Sequence, residues 1–158
     1  MIEKVIKNHH HQLYRIAYGY MRNNEDAEDI LQSSYEKAIK SENQVKDRKK
    51  VKSWLIKIII NECNQTFRMR KKQKISLENL GLNSTSVIDV DYSQNIQIKD
   101  ALLLLDEEQR NLVVLKYLMG YRQREIAVIL DMPIGTVKSK LSRSMEVLKD
   151  VIGGDSCD

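Results

Sequence analysis

The chain has 158 residues, with 26 basic and 22 acidic side chains and two cysteines, a length that fits one ordinary domain or two very small ones. Its longest apolar run, residues 54–60, contains a lysine and is far shorter than the roughly 20 residues of a bilayer-spanning helix. The N-terminus lacks a signal-peptide core, and the distant Cys63 and Cys157 exclude a disulfide scaffold. We therefore predict a cytoplasmic protein without direct membrane insertion.

The fold class predicted is all-α, because one proline and six glycines give few breaks and no stretch alternates with a period of two. Charge divides the chain: residues 1–75 carry a net +8, residues 76–98 a net −3 and residues 99–158 a net −1. We predict two small helical domains, 1–75 and 96–152, joined by an acidic flexible linker over 76–95 and followed by a mobile tail at 153–158. A structured loop within one domain is the alternative for the linker.

The sequence of the first domain predicts three helices. Apolar residues recur at steps of three and four over residues 2–21. Asn23 and Asn24 offer a break and an N-cap for a second helix over 25–40. At 100° per residue, one face of that helix holds Ala27, Ile30, Leu31, Ser34 and Ala38. The opposite face holds Glu25, Glu28, Asp29, Gln32 and Glu36.

The third helix, predicted over residues 51–72, begins apolar around Trp54 and ends in a basic run at residues 68–74. A polar loop with a basic end, residues 41–50, precedes it. A basic run is usually a solvated or disordered tail, but five bases in seven residues at a helix end favour contact with phosphates.

The strongest local signal is QREIAVILDMPIGTVKSKL, residues 123–141, which predicts a helix-turn-helix. Ala127 is small where the second helix must pack closely, and Asp131 stands at the turn position that needs a left-handed backbone. Pro133 suits the first turn of the second helix. The expected buried set also includes Ile126, Leu130, Met132, Ile134, Val137 and Leu141.

The second helix of this motif turns polar side chains away from its core face, namely Lys138, Ser139, Ser142 and Arg143. A helix with these side chains fits the major groove of DNA, where Arg and Lys contact guanine edges. An amphipathic bundle helix with solvated charges is the alternative. Two apolar helices, about 96–105 and 107–118, precede the motif, and Asp106 with Gln109 predicts a capping box for the second of them.

The ordered set of motifs resembles a bacterial RNA polymerase sigma factor of the extracytoplasmic-function (ECF) group. The matching segments, which cover nearly the whole chain, are 13–18, 26–32, 53–55 with Ile58 and Asn61, the basic run from Arg68, 105–110, 125–127 and 133–141.

The resemblance implies that the first domain binds core RNA polymerase and recognises and melts the −10 promoter element. The implied polymerase-binding residues are Asp26, Glu28, Asp29 and Gln32. The implied −10 residues are Lys46, Lys49, Lys50, Lys52, Trp54, Lys57, Asn61, Arg68, Arg70 and Lys71. Without the resemblance, these four residues of the second helix would be interpreted as part of a solvated helix face, and Trp54 is equally well explained as a core residue.

The resemblance also implies that the second domain recognises the −35 element through Arg122, Arg124, Thr136, Lys138, Ser139, Lys140, Ser142 and Arg143. The acidic linker would pass through the basic channel of the polymerase. Many relatives are held inactive by an anti-sigma factor, so such a partner is expected by analogy.

No catalytic constellation is apparent, and we predict neither an enzyme nor a cofactor, a metal or a small-molecule substrate. His9, His10 and His11 point in different directions on a helix and cannot converge on one metal ion. Cys63 is expected to pack as a small apolar residue. Two other functions stay open: a LuxR-type helix-turn-helix regulator that does not bind polymerase, and an anti-sigma-type adaptor that binds protein only. The basic first domain argues against the adaptor, and the acidic residues over 26–32, followed by a basic helix that contains Trp54, argue against the regulator.

Overall fold

The computed structural model describes residues 1–81 and 94–151, and every regular element in these ranges is helical. The all-α prediction is therefore confirmed. The helices are α1 (Ile2–Met21), α2 (Asn24–Lys40), α3 (Val51–Asn79), α4 (Gln94–Leu104), α5 (Glu107–Val113), α6 (Gln123–Leu130) and α7 (Ile134–Val151). Helix α5 continues as a π-helical turn, Val114–Leu118, and two short 3₁₀ turns lie between α2 and α3. No helix within the described ranges is both long and apolar enough to cross a bilayer.

The break between α1 and α2 forms where Asn23 and Asn24 predicted it. Asn23 has an extended backbone, and its side chain accepts a hydrogen bond of 2.8 Å from the Asp26 backbone N–H. This bond satisfies one of the N–H groups that the first turn of a helix leaves without a partner. The predicted N-cap of α2 is confirmed.

Both predicted faces of α2 are confirmed. The five residues assigned to its core face are all buried, and the five on the opposite face are all exposed. Helices α1 and α3 cover the buried face, with Leu13, Ile16, Leu55 and Ile59 fully enclosed in the shared core. Cys63 is buried in that core as expected, and burial raises the pKa of its thiol.

Helix α3 is longer than the sequence predicted. It does not end near residue 72 but continues to Asn79, so the predicted end of the third helix is wrong and residues 76–79, assigned to the linker, are helical. Residues 71–80 are all exposed and include good helix formers, with no glycine or proline before Gly81, whose φ is 69°. Residues 82–93 of the predicted linker and the predicted tail at 153–158 lie outside the described residues.

Helices α4 to α7 form the second helical unit. Its centre contains the buried side chains of Leu112, Leu115, Ile126 and Val137. The predicted capping box is confirmed: the Gln109 N–H donates to Asp106 Oδ1 at 2.8 Å, and the Asp106 N–H donates to Gln109 Oε1 at 3.2 Å. These bonds fix the start of α5 and hence the base on which α6 and α7 pack.

The two helical units lie against each other, a contact that the sequence did not predict. Helix α1 packs against the π-helical turn, and α3 packs against α6. Hydrogen bonds join Gln12 to Tyr121 and Tyr20 to Asn111 across the contact.

Candidate nucleic-acid and partner interfaces

The outer face of α2 presents a compact acidic surface. Glu28, Asp29 and Gln32, three of the four residues predicted to bind polymerase, are exposed one helical turn apart or less. Such a surface suits a basic partner, because clustered charges steer association and pair at the rim of an interface. We call Glu28, Asp29 and Gln32 the acidic face.

Asp26, the fourth residue predicted for polymerase binding, differs from the acidic face because its carboxyl has partners within the protein. Its Oδ2 accepts hydrogen bonds from Asn23 Nδ2 at 2.9 Å and from Arg70 Nη2 at 2.6 Å. The bond from Asn23, with the Arg70 guanidinium, lowers the pKa of this carboxyl below its usual value. In this structure Asp26 therefore joins the start of α2 to α3.

A groove of about 570 Å³ runs between the end of α2 and the middle of α3. Of the residues predicted for the −10 element, the structure brings three to this groove: Trp54, Asn61 and Arg68. The apolar side chain of Ile58 lies between them. An aromatic ring, an amide and a guanidinium around one opening supply the stacking surface, hydrogen bonds and positive charge that an unstacked base requires.

The structure supports the core interpretation of Trp54 in part, and its contact with DNA stays a prediction. Trp54 is half-buried and packs against the core of the first unit, while the rest of the side chain lines the groove.

Sequence reasoning missed the groove residues supplied by α2. Lys37 and Lys40 line the groove opposite Asn61, and Glu62 and Gln65 complete it on α3. Glu62 accepts hydrogen bonds from Lys37 and, at 3.0 Å, from Ser33 Oγ, so it holds one groove lysine in place. The spacing of two lysines three residues apart in the last turn of α2 was the available signal, but such lysines are also common where they complement the helix dipole.

The remaining residues predicted for the −10 element lie outside the groove. Most of them are exposed along the loop before α3 and on α3 itself: Lys46, Lys49, Lys50, Lys57 and Lys71. Lys52 is half-buried, and Arg70 pairs with Asp26. These cations add exposed positive charge to the loop before α3 and to α3 itself, and positive charge is what holding a phosphate backbone requires.

The predicted helix-turn-helix is formed by α6 and α7. Asp131 has φ 53° and ψ 53°, the left-handed conformation expected at the turn. The Met132 N–H donates to the Ala127 carbonyl at 2.9 Å across the turn. Val137 and Leu141 return to the core as predicted, with 0% and 4% of their surface exposed. Ile134 was predicted to be buried, which is wrong: it is 43% exposed because it begins α7, before the helix reaches the core.

Most side chains predicted for the −35 element lie on the open face of this motif. Lys138, Ser139, Ser142 and Arg143 are exposed on α7, and Arg122 and Arg124 are exposed at the start of α6. Lys140 differs, since it is half-buried with its Nζ 2.5 Å from Glu108 Oε1. Thr136 is also half-buried, and its carbonyl accepts a bond of 3.2 Å from Ser139 Oγ.

These features define a class of protein: an α-helical DNA-binding protein with a basic, aromatic-lined groove on one unit and a helix-turn-helix on the other. Two family models match the chain, Sigma-70 region 2 over residues 5–73 and Sigma-70 region 4 over residues 95–148. The ECF RNA polymerase sigma factor SigM of Mycobacterium tuberculosis is 31% identical, over 96% of this chain and 76% of that protein. The RNA polymerase sigma factor SigV of Bacillus subtilis is 28% identical, over 91% and 86%. The chain belongs to the ECF family of RNA polymerase sigma factors.

Solved structures show the same fold. The sigma factor RpoE of Bartonella quintana, solved in complex with the anti-sigma factor NepR, superposes with a TM-score of 0.65 at 24% identity over 97% of each chain. CnrH, solved in complex with the cytosolic domain of CnrY, gives a TM-score of 0.66 at 18% identity over 98% of this chain and 89% of that one. As a sigma factor, the protein binds core RNA polymerase and promoter DNA and directs transcription initiation.

Proposed function

We propose that the groove between α2 and α3 captures an unstacked base of the −10 element during promoter melting. The observation that carries this proposal is the meeting of Trp54, Asn61 and Arg68 at one opening. Extracting a base from a duplex costs a few kcal/mol, which stacking and hydrogen bonding in a pocket offset. Trp54 supplies a ring face, Asn61 a donor and an acceptor, and Arg68 a cation near the backbone.

The acidic face of α2 is the proposed contact with core polymerase. Glu28, Asp29 and Gln32 are free of protein partners among the hydrogen bonds and ion pairs of the described residues, so a basic partner reaches them without breaking an internal bond. Asp26 contributes from the flank, where its pairing with Arg70 also orients the base of the DNA-binding helix.

The exposed face of α7 is the proposed reader of the −35 element. Lys138, Ser139, Ser142 and Arg143 project from a helix whose opposite side is anchored by Val137 and Leu141. Arg122 and Arg124 flank it as proposed phosphate contacts. Lys140 reaches DNA only after releasing Glu108, so we assign it a smaller share of the affinity than Arg143.

The setting of this activity is inferred from the relatives. We propose that the protein acts in the cytoplasm, has no catalytic activity of its own, and is controlled by an anti-sigma factor. The proposal of an anti-sigma factor is supported by the two similar structures. RpoE was solved with the anti-sigma factor NepR, and CnrH was solved with the cytosolic domain of CnrY.

Run-off transcription with purified core polymerase tests the proposed function. Genomic fragments are transcribed with and without the chain, and discrete transcripts that require the chain are expected. Trp54→Ala and Asn61→Ala should then reduce transcription from a duplex promoter and have less effect on a template whose −10 region is already mismatched open. Equal losses on both templates would exclude base capture in the groove.

A further inference from the structure

An ion pair lies at one edge of the DNA-facing side of α7. Lys140 Nζ lies 2.5 Å from Oε1 of Glu108, which belongs to the first turn of α5. The Lys140 side chain is 35% exposed and the Glu108 side chain is 43% exposed, so an approaching DNA duplex has access to both. The pair is therefore part of the surface that α7 presents.

The position of Lys140 on α7 is that of a phosphate contact. At 100° per residue, the exposed side chains from Lys138 to Arg143 span about 140° of the helix, and Lys140 lies about 60° beyond Arg143. A helix with its side chains is about 10–12 Å across, and the major groove is about 12 Å wide. When the centre of the exposed arc faces the bases, a side chain just beyond its edge lies beside the phosphates of the groove wall.

Both members of the pair stand on ordered backbone. The capping box of Asp106 and Gln109 fixes the first turn of α5, which carries Glu108. On α7, Ser144 Oγ donates to the Lys140 carbonyl at 2.7 Å, and α5 packs directly against α7. Because neither backbone has to be ordered for the pair to form, its cost is mainly the entropy of two side chains. Glu108 also stays near Lys140 when the pair opens.

Glu108 places negative charge beside Arg143 as well. A recess of about 200 Å³ at this edge of α7 is lined by Asp106, Glu108, Gln109, Lys140 and Arg143. Its two carboxylates offset its two cations, so the recess carries no net charge. A phosphate that approaches this edge of the helix is repelled by the Glu108 carboxylate, and the Lys140 ammonium that would attract it is already paired.

We propose that Glu108 is a specificity-determining residue for the −35 element, because it keeps Lys140 from adding a phosphate contact. This inference rests on the proposed function of α7. A phosphate contact strengthens binding to every DNA sequence alike, whereas contacts with base edges distinguish the −35 element from other DNA. Without the Glu108 charge, altered promoters gain as much binding free energy as the cognate promoter. At a fixed protein concentration they gain more in occupancy, since the cognate promoter is already nearly filled.

Glu108→Gln tests the proposal, because it removes the charge and keeps the shape of the side chain. Holoenzyme is assembled from the full chain and core polymerase, and fluorescence anisotropy measures its affinity for duplexes with a cognate or an altered −35 sequence over a range of salt concentrations. One added phosphate contact should steepen the dependence of log K on log salt by about 0.9. Such a contact, negligible near 1 M salt, should tighten binding to both duplexes roughly fivefold at 0.15 M salt.

Transcription provides a second measurement. At one limiting concentration of holoenzyme, Glu108→Gln should raise the yield of transcript from a promoter with an altered −35 sequence more than the yield from the cognate promoter. An unchanged ratio of the two yields would overturn the assignment of Glu108 to specificity.

Two further variants identify the cause of the effect. Glu108→Gln combined with Lys140→Gln should return the affinity and the salt dependence to the wild-type values, because the added contact is removed again. Asp150→Asn removes one exposed negative charge from the same helix and is the matched control. It lies about 15 Å along the helix from Lys140, beyond the Debye length of about 8 Å at physiological salt, and should change neither quantity.

Unchanged affinity and salt dependence in Glu108→Gln would overturn the proposal. A gain that persists in the double variant would also overturn it, since Lys140 would then not be the source. If the wild-type holoenzyme bound cognate and altered duplexes equally, the proposed reading of the −35 element by α7 would fail. The salt dependence of the variants would still decide whether Glu108 keeps Lys140 from the phosphates.

Discussion

Asp131 shows how a single residue sets the geometry of the DNA-reading unit. Its left-handed backbone turns the chain from α6 to α7, and this conformation costs an L-residue roughly 1–2 kcal/mol unless it is glycine or a residue such as Asn or Asp. The sequence predicted this conformation because Asp occupies the turn position of the motif. The prediction was possible since the requirement is local.

Substitutions at Asp131 should rank by their tolerance of that conformation. We expect Asp131→Ala to lower the free energy of unfolding by about 1 kcal/mol, whereas Asp131→Gly should keep or raise it. Thermal unfolding followed by circular dichroism measures the difference. An alanine variant as stable as the wild type would mean that the turn does not require a left-handed residue.

Asp26 predicts an acid-dependent loss of stability. Because the Asn23 bond and Arg70 hold its folded-state pKa below the unfolded value of about 3.9, its contribution is present above that pH and is lost as the pH falls through the lower, folded-state pKa. Asp26→Asn keeps the backbone N–H that Asn23 caps but cannot titrate.

The Asp26→Asn variant should therefore be less stable than the wild type at neutral pH, and the difference should narrow as the pH falls below about 4. Urea unfolding at a series of pH values measures this effect, with Asp29→Asn, at an exposed position, as the control. A difference that stays constant with pH would show that the Asp26 charge does not stabilise the fold.

For single residues, the sequence was least informative about the surroundings of side chains that lie between two different parts of the structure. Trp54 both packs on the core and lines the groove, and the sequence offered these as alternatives. Lys140 fits the pattern of a DNA-facing residue but pairs with Glu108, which is 32 positions away in the chain. Helical periodicity places a residue on a face but does not reveal which element lies opposite.

Among the elements, α2 was the most predictable, because the burial of its side chains follows from its two faces. The helical repeat alone separated the buried from the exposed residues, and all ten assignments made for those two faces agree with the structure. The length of α3 was not predictable in the same way. Residues 73–79 lack an apolar stripe and extend as a solvated helix, so periodicity gave no signal there.

Reversing the charges on α2 tests the proposed contact with core polymerase. Glu28→Lys with Asp29→Lys should weaken binding to core polymerase while leaving the helical content unchanged, since both side chains are exposed. Surface plasmon resonance with immobilised core polymerase measures the affinity. Glu25→Lys with Glu36→Lys, exposed on the same side of α2 but beyond the two ends of the acidic face, is the control for charge alone. Unchanged affinity in the first variant would exclude the acidic face as the contact.

A single substitution on α7 tests the proposed recognition of the −35 element. Arg143→Ala should cost about 1–3 kcal/mol of discrimination between cognate and altered −35 sequences if Arg143 contacts a base edge. Fluorescence anisotropy with both duplexes at one fixed salt concentration measures the discrimination. Equal losses on the two duplexes would assign Arg143 to the phosphate backbone instead.

For the whole molecule, the sequence correctly indicated two helical units but gave no sign of how they meet. The contact joins residues such as Gln12 with Tyr121 and Tyr20 with Asn111, which are 109 and 91 positions apart. Asn64 and Arg110 each have an ordinary interpretation in isolation, as a helical amide and as a basic residue near a helix end. The hydrogen bond of 2.8 Å from Arg110 Nη1 to Asn64 Oδ1 exists only in the assembled structure.

The covalent connection between the two units has a consequence for promoter binding. Once one unit holds its proposed promoter element, the other stays nearby at an effective concentration set by the connecting segment, so the second binding event becomes intramolecular. We therefore expect the whole chain to show avidity on a promoter that carries both elements, and to lose it when the connecting segment is cut.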